Sequence, residues 1–168
     1  MRSFILLFLV LLAMLLQATF FSFLQVAGVK PDLILLLVVF NGFLRGSREG
    51  AFLGFLGGLM LDIFSGSYIG LHALVKMSVG YLAGLAESRF YKESVVIATL
   101  ITFVLGIFGQ LATYLLLFYL DIQVPPFYAF FQVVVPTAIY SALLVPLTYW
   151  KFYRSNERGW LKEWERTV

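Results

Sequence analysis

From Gly42 to Gly70 the chain reads GFLRGSREGAFLGFLGGLMLDIFSGSYIG, and one side-chain type returns every fourth residue: Gly42, Gly46, Gly50, Gly54 and Gly58, then Asp62, then Gly66 and Gly70. A four-residue step overshoots one turn of an ideal α-helix by about 40°. Gly50, Gly54 and Gly58 therefore stay on one face. Glycine at that spacing lets another helix backbone approach closely, and in lipid such close packing drives helix association. An acid at membrane depth is costly, so it faces protein or a water-filled cavity and marks function. The stretch specifies a helix-packing surface with one carboxylate set into it.

Composition places the rest of the chain around that surface. Hydrophobic residues make up 61% of the 168 and charged residues 12%, with a mean hydropathy of +0.94. Soluble domains carry roughly 25% charged residues. An ordinary soluble domain is excluded, and a single membrane domain fills the length. The absence of cysteine excludes disulfides, thiolate chemistry and cysteine-held metals.

Six apolar stretches are expected to cross: Phe4 to Leu24, Leu33 to Leu44, Ala51 to Phe64, Tyr68 to Ala86, Val95 to Leu120, and Phe127 to Trp150 with Pro136 and Pro146 inside it. The first is too long for the apolar region of a cleaved signal and reads as a retained helix. The second and third are short, because 12 helical residues rise only about 18 Å. They reach across if Arg45 and Arg48 snorkel to the headgroups. A re-entrant hairpin is the alternative, and it would carry Arg45, Arg48 and Glu49 to a buried tip at considerable cost.

Lysine and arginine orient this plan. Through six crossings one side receives Arg2, Arg45, Arg48, Arg89, Lys92, Lys151, Arg154, Arg158, Lys162 and Arg166, ten of the 12 basic residues, and the other receives Lys30 alone. The positive-inside rule makes the ten-residue side cytoplasmic, so both termini lie inside. Residues 1–150 are then a six-helix transmembrane domain and 151–168 a basic cytoplasmic tail. Trp160 and Trp164 share one helical face of the tail. This fits a helix along the inner headgroups, or a solvated extension. Glu157, Glu163 and Glu165 interrupt its positive charge, which argues against nucleic-acid binding.

Nothing in the chain points to catalysis. His72 is the single histidine, set between Leu71 and Ala73, and reads as a packing or hydrogen-bonding side chain rather than a metal ligand. Ser65, in Phe64-Ser65-Gly66-Ser67, reads as part of a helix-ending turn. No phosphate loop or dinucleotide fingerprint occurs, and no cofactor is expected. Asp62 and Lys76 are the remaining intramembrane ionisable groups. Three readings stay open for them: an internal ion pair, a contact with a partner, or an ion or proton relay. A relay needs a chain of titratable groups, whereas Asn41, Gln110 and Gln132 do not titrate.

Lys30-Pro31-Asp32, then Gly54-Phe55, Gly58, Asp62, Ser65-Gly66-Ser67, Gly70, Ala73-Leu74 and Tyr81 resemble the rod shape-determining MreD family. That family's pattern is a proline-led second helix, then G-F-x-x-G-x-x-x-D-x-x-S-G-x-x-x-G, then an apolar helix with a tyrosine. The detailed match covers about a third of the chain, and length, stretch count and basic tail agree over the whole. Lys76 lies outside the pattern. The resemblance implies a non-enzymatic subunit of the bacterial cytoplasmic membrane, held with an MreC-like protein. Through that protein it would meet RodA, a class B penicillin-binding protein and MreB. The site residues it implies are Gly54, Gly58, Asp62, Ser65, Gly66 and Gly70, serving a partner or internal helix packing.

The family is similar in helix plan to the substrate-binding subunits of energy-coupling-factor vitamin transporters, so a small-molecule-binding transporter subunit is the competing reading. Such a subunit needs polar side chains converging on an outward cavity. The outer-end polar groups are few: Gln25, Asp32, Asp62, Ser65, Asp121 and Gln123. A cavity there could also persist as a groove for a partner helix or for membrane lipids.

Overall fold

A computed structural model describes residues 2–20, 28–66, 68–120 and 125–158. They form six helices: α1 (Arg2–Ala18), α2 (Leu33–Arg45), α3 (Ser47–Ser65), α4 (Leu71–Leu85), α5 (Val95–Tyr119) and α6. The last begins as one α turn at Pro126–Tyr128, widens to a π-helix over Ala129–Val134 and continues as α-helix through Val135–Arg158. Pro136 explains the widening. It has no N–H for the Gln132 carbonyl and its ring crowds that carbonyl. The Val135 N–H instead donates to Phe130, five residues back.

Local chemistry sets the other boundaries. The Asp32 carboxylate accepts from the Leu35 N–H at 2.9 Å and starts α2, and Ser94 does the same for α5 through Ile97. Gly66, at φ 62°, ends α3 in the left-handed conformation that glycine adopts without a Cβ penalty. Gly46, at φ 97°, is the single residue between α2 and α3.

α2 lies at the centre. Ten of its 13 residues are buried, and it takes part in all three apolar clusters. Phe40 and Phe43 pack with Tyr149 and Phe152 of α6, Ile34 and Val38 with Val10 and Met14 of α1, and Leu35 and Val39 with Val75 and Val79 of α4. The outer helices show the reverse: Phe4, Phe52, Leu100, Leu115 and Leu147 are all exposed. Apolar side chains inside and out belong to a helix bundle whose solvent is hydrocarbon.

The Gly46 turn sits beside residues 84–92. Gly84 packs on the Ser47 backbone, and the Lys92 ammonium donates to the Leu44 carbonyl and pairs with Glu87 at 2.7 Å. Arg45, Arg48 and Glu49 therefore stand at one end of the bundle rather than at a buried tip. Two boundaries differ from the sequence reading. α3 starts at Ser47, ahead of the apolar run, and α6 passes through residue 150 without a break to Arg158. Phe152 and Tyr153 are buried in the α2 cluster, so the start of the tail belongs to the bundle. Trp160 and Trp164 lie outside the described residues.

Among the described residues, α5 and the Pro126–Ser155 run of α6 are the helices long and apolar enough to cross a membrane by length and composition. Their partners begin deeper. The Asp32 N–H, at the start of α2, donates to Ser141 Oγ at 3.0 Å. Ser141 lies 15 residues beyond Pro126, about 22 Å along a helix. α2 therefore starts well below the Pro126 end of α6.

Candidate functional site

The glycine ladder is a seam between α3 and α4. A Cβ on Gly50 would fall on the Gly80 carbonyl, one on Gly54 on the Lys76 carbonyl, and one on Gly58 on His72 and Ala73. These are backbone atoms, which cannot swing aside, so the two backbones meet through the α3 glycines, with glycine on both sides where Gly50 faces Gly80. A partner's helix at Gly54 or Gly58 would need the space α4 already fills. Gly66 and Gly70 have open space around them and positive φ; together with Ser65 they belong to the turn joining α3 to α4.

Asp62 completes the seam. It is fully buried, and its carboxylate accepts from the N–H of Gly70 at 2.9 Å, of His72 at 3.1 Å and of Ala73 at 3.1 Å, and from His72 Nδ1 at 2.8 Å. The first N–H groups of a helix have no partner within it and carry its positive dipole end. A carboxylate from α3 satisfies those of α4. It also holds the imidazole proton on Nδ1, leaving Nε2 as the ring's second polar atom.

The Asp62–Lys76 pair is replaced by another. The Lys76 ammonium, on a nearly inaccessible side chain, binds the Asp32 carboxylate. Asp62 has no lone pair directed that way, because its four bonds all point at the start of α4. Asp32 thus does two things: one oxygen caps α2 and the other neutralises Lys76.

Above this pair is a cavity of about 340 Å³. Its lining includes Asp32, Lys76 and His72, with Gln17 of α1, Gln110 and Thr113 of α5, and Gln132 and Thr137 of α6. Lys30, in the segment that enters α2, and Tyr128, in the first turn of α6, also line it. Gln17 also accepts from the Leu33 N–H at 3.3 Å, holding α1 to the sunken start of α2. Every helix contributes a lining residue, α3 through Leu61.

Sequence reasoning did not assemble this site. It noted Gln110 and Gln132 as polar, but Gln17, Thr113 and Thr137 gave no motif, one or two per helix at unrelated spacings. The available signal was a long polar side chain inside each of three apolar runs. Of the outer-end groups named from sequence, Asp32 enters the site, Asp62 supports His72 from behind, and Ser65 stays in the turn. Gln25, Asp121 and Gln123 lie outside the described residues. No group of three metal-binding side chains occurs among the described residues.

No curated protein and no solved structure matches the chain. The model of the family described as rod shape-determining protein MreD matches residues 1–155. That span takes in the glycine seam, its buried acid and all of the six helices but the last three residues of α6, and the chain belongs to this family of rod shape-determining membrane proteins.

Proposed function

We propose that the chain is a non-enzymatic, six-crossing subunit of the bacterial cytoplasmic membrane that sets rod shape by holding the transmembrane helix of an MreC-like partner. Through that partner it joins RodA, a class B penicillin-binding protein and the MreB filament. The observation that carries this reading is the family match over residues 1–155. Both termini and the Gly46 turn lie on the cytoplasmic side, and the polar cavity opens outward.

The partner helix needs a surface other than the glycine seam, whose face is filled by α4. The groove between α1 and α3 supports its placement there. It has a volume of about 480 Å³, is lined by Phe4, Leu7, Phe52, Leu56 and Met60, and carries Asn41 and Arg48. Phe52 is 64% exposed beside it. Apolar surface of this shape gives van der Waals contact to a neighbouring helix, and a buried amide adds a hydrogen-bonding group.

A photocrosslinking residue tests the placement. Installed at Phe52 in cells that also express the partner, it should capture the partner helix, whereas at Leu100 on α5 it should not. Capture from Leu100 alone moves the interface to α5. Capture from neither position, together with failure of the two proteins to co-purify in mild detergent, removes the partner reading.

A further inference from the structure

We infer that the helix seated between α1 and α3 bonds the Asn41 amide through a serine, threonine, asparagine or glutamine side chain of its own, and that this bond selects the partner. The inference rests on the placement of a partner helix in that groove and names what the helix must carry.

Asn41 ends a stripe of otherwise apolar residues. Ile34, Val38 and Asn41 are spaced by four and three residues and so share one face of α2. The first two are buried in one cluster with Val10 and Met14 of α1 and Leu53 of α3. The third takes the next place toward the Gly46 turn, where an apolar side chain would extend the same cluster. Asn41 is only 2% exposed, yet its amide makes no hydrogen bond among the described residues. The small area it keeps opens into the groove. A buried amide without a partner is costly in an apolar medium, so it falls to the occupant of the groove to meet it.

The walls fit a helix. Phe4, Leu7 and Val10 of α1 and Phe52, Leu56 and Met60 of α3 line the groove, at the three- and four-residue spacings that form packing ridges along a helix. The α3 stripe is about 12 Å long, two helical turns. Asn41 stands four residues before Arg45, about 6 Å in from that end of α2. At such a depth a lipid tail offers neither donor nor acceptor. A wholly apolar helix offers none either, because its backbone groups are bonded to one another. A hydroxyl or amide side chain supplies both, and side chains of these types bond across helices in membranes. Asn41 is neutral, so a neutral group meets it at the least desolvation cost. A helix with an apolar residue at that place leaves the amide unmet, and Asn41 thereby discriminates between helices of equal apolar fit.

Resonance energy transfer between the labelled full chain and the labelled full-length MreC-like partner, titrated in phosphatidylcholine liposomes, reads the affinity. One interhelical hydrogen bond corresponds to about a 3- to 17-fold change in dissociation constant. Asn41→Leu should weaken association by that factor while Tm of the chain alone holds or rises, because an unmet amide has been removed. Asn41→Gln, which keeps the amide, should retain more of the affinity than Asn41→Leu. Among the hydroxyl and amide residues of the partner helix, each replaced by alanine in turn, one should show a loss that is not additive with Asn41→Leu. Unchanged affinity in Asn41→Leu, with the crosslinker at Phe52 still capturing the partner, overturns the hydrogen bond and leaves the placement standing. No capture from Phe52 overturns the placement and this inference with it. A fall in Tm of the Asn41→Leu chain alone assigns the amide to the chain's own packing and overturns the inference. A phospholipid that stays with the purified wild-type complex and is absent from Asn41→Leu makes the groove a lipid site, which also overturns it. If Asn41→Leu does not fold, Asn41→Ala carries the comparison.

Discussion

Gly57 and Gly58 are adjacent in sequence, yet the seam makes opposite demands on them. A Cβ on Gly58 would stand 2.5 Å from the Ala73 Cα and overlap the His72 carbonyl. A Cβ on Gly57 would stand 3.0 Å from Ile34 Cγ2 and 3.7 Å from Val10 Cγ1, both methyl groups at the ends of side chains. Replacing either glycine by alanine gains about 1 kcal/mol of helix propensity. For Gly57→Ala the methyl is accommodated by a small shift of Ile34, and the net change stays within about 1 kcal/mol. For Gly58→Ala the α4 backbone must move outward, an overpacking cost of about 1–3 kcal/mol. Asp62 lies one turn further along α3 and holds the start of α4 through four hydrogen bonds of 2.8–3.1 Å. Moving α4 lengthens them, and losing even one charge-assisted bond costs about 1.5–3 kcal/mol.

The net loss expected for Gly58→Ala is therefore about 1.5–5 kcal/mol, combining overpacking and hydrogen-bond loss against the propensity gain. At roughly 2–4 °C per kcal/mol for a chain of this size, Tm falls by about 3–20 °C, while Gly57→Ala moves it by no more than about 4 °C in either direction. Tryptophan fluorescence during heating in detergent reads both. Equal losses in the two variants, or a neutral Gly58→Ala, would refute the claim that backbone contact between α3 and α4 holds this bundle together.

Asp62→Leu leaves the N–H groups of Gly70, His72 and Ala73 without their acceptor. It should lower Tm more than Asp62→Asn, which keeps one carbonyl oxygen; equal effects would show that water replaces the carboxylate. Lys76→Met leaves Asp32 buried without its counter-charge and should cost about 3–5 kcal/mol. A double-mutant cycle with Asp32→Asn should show strong coupling, whereas one with Asp62→Asn should be additive within about 0.5 kcal/mol. The reverse pattern would restore the Asp62–Lys76 pair. Reporter fusions should be active in the cytoplasm after Val168 and outside near Gln123, and a C-terminal fusion active only outside removes the six-crossing plan.

The glycine seam was legible because its signal is local: a four-residue period on one helix, with the acid in register. Which surface it meets was not, since Gly80 and Gly84 on α4 repeat only once. The partner of Lys76 was hidden for a different reason. Asp62 is 14 residues away across one turn and Asp32 is 44 away, so sequence distance favours the wrong acid. The choice is made by the backbone: the start of α4 uses up the Asp62 carboxylate, and α2 begins deep enough to present Asp32 to Lys76. That depth depends on where Gln17 and Ser141 hold residues 32 and 33, contacts between helices far apart in the chain.

The shortness of α2 then bears on function. Its 13 residues rise about 20 Å and the 25 of α5 about 38 Å. As an isolated stretch α2 looks like a poor membrane crossing. In the bundle it runs from the Gly46 turn only to the level of Ser141, leaving the space above it to be filled by protein, water or a ligand. Apolar protein would fill it at no electrostatic cost. The chain instead surrounds that space with Gln17, Gln110, Thr113, Gln132 and Thr137 and closes its floor with an ion pair. Thr113 and Thr137 donate to the Gly109 and Val133 carbonyls of their own helices and Gln17 accepts from the Leu33 N–H, whereas the amides of Gln110 and Gln132 pay desolvation unless something polar meets them. The short α2 thus leaves a polar space beside the outer halves of α5 and α6 in place of apolar packing.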